Sequence, residues 1–114
     1  MLETHTYLDF VYLPTFERTT KGLFTDAEQR RLEDMLLQDP EAGRVVQGTG
    51  GVRKIRVALP GHGKSGGARV IYYFRVTRHR VYLIPAYSRN VKDTLTAREK
   101  SVMRALTSQL EAEP

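Results

Sequence analysis

The sequence predicts an α+β fold, with helices packed against an antiparallel or mixed sheet. Three observations carry that expectation. Two T-x-x-E signatures, Thr25 with Glu28 and Thr96 with Glu99, have capping-box spacing and each precedes an apolar helical stripe. An aromatic and β-branched run near the N-terminus reads as a strand. Between Val52 and Tyr87 lie three short strand-like segments joined by turn-rich connections. With 114 residues the chain holds one core and is too short for two, so a single domain over residues 1–114 is expected.

Residues 6–13 form the first strand, closed by Pro14, and residues 15–23 are short enough to be helical or irregular. From Thr25 a helix runs to Asp39-Pro40, with Leu32, Met35 and Leu36 as its buried stripe. A glycine-rich loop leads into a strand over residues 52–59. A second glycine-rich loop precedes residues 68–77. There Val70, Tyr72 and Phe74 alternate with Arg69, Ile71, Tyr73 and Arg75, giving two differently used faces. Arg78-His79-Arg80 turns into a last strand over residues 81–87, which completes a three-stranded antiparallel meander. Val102, Leu106 and Leu110, with Met103 beside them, then make the stripe of a C-terminal helix.

The charge is unevenly placed. Net charge is +5, yet residues 42–92 contain eleven Lys or Arg and no Asp or Glu, while the remainder carries −6. So one-sided a block attracts polyanions. With no cysteine there is neither a disulfide framework nor a thiolate metal site. No apolar run approaches a membrane span, and the N-terminus lacks a basic region followed by an apolar one, so a cytoplasmic protein without membrane attachment is expected.

Gly63-Lys64-Ser65 imitates the end of a phosphate-binding loop. The glycine required earlier in that pattern is replaced by Ala58, and a strand rather than a helix follows, so nucleoside triphosphate chemistry is rejected. The glycines around Lys64 make either a plain hairpin connection or a phosphate-contacting arm. His5, His62 and His79 show no metal-ligand spacing, and His62 approaches a ligand only if its loop folds inward. Lys54 and Arg56, two apart on one strand face, and Arg69 at the head of the next strand either converge on one concave surface or are scattered solubility charge; Arg53 points the other way.

The runs from Gly48 to Arg56, Gly63 to Phe74 and Ala86 to Lys92, with Asp39-Pro-Glu-Ala-Gly43 before them and Leu95-Thr96 after, resemble the HigB-like branch of the RelE/ParE toxin superfamily. The resemblance implies a RelE-like toxin of a type II toxin–antitoxin system. Such a protein cuts translated mRNA in the ribosomal A site as a metal-independent endoribonuclease that needs no cofactor. The RNA 2′-hydroxyl attacks the adjacent phosphate, and cationic side chains stabilise the charge that develops. Carried over by position, Lys54 and Arg56 are the paired basic residues of one strand, Arg69 clamps the scissile phosphate, and Arg89 is the basic residue after the last strand. Many relatives place a tyrosine near the position of Leu95, which transfers no proton, so Tyr87, Lys54 or a histidine is left for that task. Arg53, Lys64, Lys92 and His62 complete the expected RNA- and ribosome-contacting set. The implied partners are the ribosome with its mRNA and a cognate, HigA-like helix-turn-helix antitoxin, through which alone DNA is reached. The competing expectation is a basic module that binds RNA or ribosome and blocks translation without chemistry.

Overall fold

The computed structural model describes residues 7–59, 67–88 and 94–114. In chain order it contains strand β1 (Asp9–Tyr12), helices α1 (Pro14–Thr20) and α2 (Asp26–Gln38), strands β2 (Arg44–Val45), β3 (Arg53–Val57), β4 (Ala68–Arg75) and β5 (Arg80–Ser88), and helix α3 (Ala97–Ala112). The strands form one mixed sheet in the order β1-β5-β4-β3-β2. The expected meander is its centre, with β3, β4 and β5 antiparallel in sequence. Two additions flank it: β1 runs parallel to β5, with Asp9 opposite Arg80, and the two-residue β2 pairs antiparallel with β3.

Local chemistry explains the helix boundaries. Pro14 opens α1, where its missing N–H would have had no partner in any case. Thr25 and Glu28 form both arms of the capping box that starts α2, and Thr96 and Glu99 do the same for α3. Asp39, followed by Pro40, closes α2. Between β4 and β5 a short 3-10 turn (Val76–Arg78) ends at His79, which adopts the left-handed conformation at φ 48°. His79 is therefore a turn residue.

The sheet buries both faces. On one, Ile55, Val57, Val70, Tyr72, Val81, Leu83 and Ala86 pack with Phe16 of α1 and with Leu32 and Leu36 of α2. On the other, Val52, Ile71 and Ile84 pack with Leu95, joined by Met103 and Leu106 of α3. The α3 stripe differs from the expected one. Val102 is 59% exposed, and the polar Thr107 is buried with Leu110. A strict four-residue repeat drifts around a helix of 3.6 residues per turn, so Val102 rotates off the face that Leu110 fixes. Thr107 is accommodated because its hydroxyl donates to the Thr49 carbonyl at 3.2 Å and the Arg104 carbonyl at 3.0 Å. Among the described residues, no helix is long and apolar enough to cross a membrane.

Candidate nucleic-acid interface

Strand alternation decides which basic residues meet. Ile55 and Val57 face the α1/α2 core, so Lys54 and Arg56 project from the opposite, α3-bearing face of β3. Register brings their neighbours alongside. Arg56 lies opposite Arg69, Arg69 opposite Tyr87, and Lys54 opposite Arg44. Directly opposed residues hold their Cβ atoms roughly 4.5–5.5 Å apart and share a face. The result is a cavity of about 570 Å³ lined by Ala42, Arg44, Lys54, Ile55, Arg56 and Arg69.

Among these described residues four are basic and none is acidic. Arg69 is only 3% exposed and forms the floor, while Arg56 and Arg44 are exposed at the mouth. Packing holds like charges together at a concave surface, which concentrates a positive field there. Convergence of Lys54, Arg56 and Arg69, one of the two alternatives posed by the sequence, is what the fold produces.

Tyr87 continues the row beyond Arg69, but it is half-buried. Its ring packs against the cluster of Val52, Ile71, Ile84 and Leu95, and its hydroxyl oxygen is shielded from solvent. Leu95 is a core residue of that cluster. Arg53 lies apart from the cavity. Its guanidinium donates from Nη1 to the carbonyls of Glu41 at 3.1 Å and Gly43 at 2.7 Å, and it pairs with the Glu41 carboxylate at 3.7 Å. One residue along a strand inverts a side chain's face, and Arg53 thereby braces the loop before β2 instead of joining Lys54. His62, Lys64, Arg89 and Lys92 lie outside the described residues.

Two contributors were missed in the sequence. Arg44 lies on a strand too short to show periodicity, and its only signals were the preceding glycine and its place in the acid-free block. Tyr72 reads as an ordinary core aromatic. Fully buried, its hydroxyl accepts from the Gly43 amide at 2.8 Å and donates to the Pro40 carbonyl at 2.8 Å. Burial pushes its phenol above the usual tyrosine range, against the smaller opposing pull of the Gly43 amide, so it remains a protonated donor. Among the described residues, no group of three or more His, Cys, Asp or Glu is placed to hold a metal ion.

A sheet buried on both faces, with a basic cavity at one end of its α3 side, defines a small α+β domain suited to a polyanionic ligand. The chain matches the family described as the RelE toxin of the RelE/RelB toxin–antitoxin system over residues 14–113, and it belongs to that family. Two solved structures share its fold at a TM-score of 0.50. One is an Escherichia coli RelE toxin variant in the free state, 21% identical, the match covering 86% of this chain and 95% of that one. The other is the RelE–RelB complex from the archaeon Pyrococcus horikoshii OT3, 18% identical, the match covering 75% of this chain and 98% of that one.

Proposed function

We propose that this protein is a ribosome-dependent mRNA endonuclease of the HigB-like branch, arresting translation by cutting message in the A site. The observation that carries the reading is the basic cavity in which Arg56 and Arg69 face each other across β3 and β4. A phosphodiester attacked by its own 2′-hydroxyl passes through a crowded, doubly charged phosphorane. Fixed cations aimed at that charge lower the barrier without having to reorganise. In this reading Arg69, at the cavity floor, is the cation for the scissile phosphate, and Arg56 adds its charge from the mouth.

Proton transfer falls to Lys54 in the cavity or to Tyr87 beside Arg69. Lys54 lines the cavity with Arg44 and Arg56 for neighbours, within reach of a substrate held there. Tyr87 must turn its hydroxyl out of the apolar cluster to take part. That shielding is the observation favouring the second reading, a non-catalytic basic module that blocks the ribosome. The proposed protein partner is a cognate antitoxin of helix-turn-helix, HigA-like type.

The test is an in-vitro translation reaction with purified protein, with mRNA 5′ ends mapped beside a ribosome-free control. Cuts at codon-spaced positions on translated message alone are expected. Intact message with translation blocked would leave the steric inhibitor. Equal cutting of naked RNA would remove the A site from the account.

A further inference from the structure

The cavity contains more cationic groups than one phosphate requires, and they are arranged in two pairs. Arg56 faces Arg69 across the β3–β4 ladder, and two positions earlier on β3 Lys54 faces Arg44 across the β2–β3 ladder. Residues two apart on a strand share a face and stand roughly 6.6 Å apart. The two ladders are offset by a further strand spacing of roughly 4.8 Å. From those positions the long arginine and lysine side chains span the step between successive phosphates of an unstacked strand. We propose that Arg44, beside Lys54, forms a second phosphate subsite that binds the phosphate adjoining the one held by Arg56 and Arg69. The proposal rests on the nuclease reading above.

Arg44 is well prepared for this role despite its place on an exposed two-residue edge strand. The loop that delivers it is fixed at Pro40 and Gly43 by the Tyr72 hydroxyl, and at Glu41 and Gly43 by the Arg53 guanidinium. The same brace occupies the acid of this loop, because Glu41 is paired with Arg53 and is not among the described residues that line the cavity. Ala42, with its short side chain, leaves the mouth open between the loop and β3. Lys54 stands between the two subsites, so it senses both phosphates. A cleft that holds two consecutive phosphates fixes the direction and register of the strand, which one phosphate alone does not.

The experiment uses the full chain and short single-stranded RNA probes with 2′-O-methyl riboses, which cannot be cut. In each probe one phosphate is replaced by a neutral methylphosphonate. Affinity is measured from low to moderate salt for the wild-type protein and for Arg44→Gln, Arg56→Gln and Arg69→Gln. On the fully charged probe, Arg44→Gln is expected to weaken binding and to reduce the log–log salt slope by about 0.7, the share of one phosphate on a single strand. Neutralising one linkage should abolish the effect of Arg44→Gln, and neutralising the adjacent linkage should abolish the effects of Arg56→Gln and Arg69→Gln. An Arg44→Gln penalty that is absent, or that is the same on every probe, overturns the second subsite. So does dependence of all three variants on one shared linkage, or failure of the wild-type chain to bind at low salt. If the Arg44 penalty follows one linkage while Arg56→Gln and Arg69→Gln bind like wild type, the subsite stands and the scissile clamp of the nuclease reading falls.

Discussion

The hydroxyl of Tyr72 and the amide of Gly43 meet at 2.8 Å inside the protein, and through that contact a core residue of β4 sets the position of the loop that carries Arg44. The approach is so close that any side chain at position 43 must displace its neighbours. A Cβ there would lie 2.7 Å from Tyr72 Cε1 and 3.0 Å from the Lys54 carbonyl oxygen. The glycine of Asp39-Pro-Glu-Ala-Gly43 thus has a steric reason rather than a conformational one.

Gly43→Ala is expected to cost about 1–3 kcal/mol through overpacking. Tyr72→Phe is expected to cost about 1–3 kcal/mol by stranding two loop groups without their hydrogen-bond partner. Because both act on one contact, the double variant should lose less than the sum. Urea unfolding measures all three. Full additivity, or a Gly43→Ala midpoint equal to wild type, would show that the loop is held elsewhere.

At the other end of β4, the buried Arg75 fastens the C-terminus of α3 to the sheet. Its Nη2 donates to the carbonyls of Glu111 at 2.9 Å and Glu113 at 2.8 Å, and its Nε lies 3.7 Å from the Glu111 carboxylate. These carbonyls are among the orphan acceptors at a helix end, so the arginine acts as a cap from another element. Arg75→Ala should cost about 1.5–3 kcal/mol. Amide exchange should accelerate over the last two turns of α3 before it does so in β3 to β5. Uniform loss of protection would mean that α3 and the sheet open as one unit.

The start of α2 is predicted to be acid-sensitive. Hydrogen bonds from the Thr25 hydroxyl and amide hold the Glu28 carboxyl below its ordinary value of 4.5. A carboxyl whose folded pKa is depressed adds stability that is present above its unfolded pKa and is lost as pH falls through the folded value. Glu28→Gln should therefore destabilise the protein at pH 7, and the gap to wild type should narrow by pH 3. A gap that stays constant with pH would show that the charge on Glu28 contributes nothing.

Much of this architecture was legible in the sequence because its signals are local. Both capping boxes sit within four residues, and β4 shows its two faces by simple alternation. What the sequence hid depends on distant partners. β2 exists only as a partner of Arg53 and Lys54, and β1 becomes a parallel edge only once β5 is in place. Thr107 is buried because Thr49 supplies an acceptor 58 positions away, which no helical pattern reveals. The same division runs through the site. Charge and spacing single out Lys54, Arg56 and Arg69 as candidates but leave their convergence open, whereas the places of Arg44 and Tyr72 depend on cross-strand register and the fold of one loop.

In the proposed nuclease, the Arg56–Arg69 pair acts on the transition state rather than merely attracting RNA. Single-turnover cleavage of mRNA on a programmed ribosome, measured beside ribosome association for wild type and Arg69→Ala, addresses it most directly. Thermal unfolding of the variant confirms that it is folded. The expected result is a loss of cleavage rate of roughly 10²–10³-fold, the usual cost of removing one preorganised charge-stabilising group, with association changed only a few-fold. Undiminished cleavage by a folded Arg69→Ala protein, or parallel loss of cleavage and association, would contradict it.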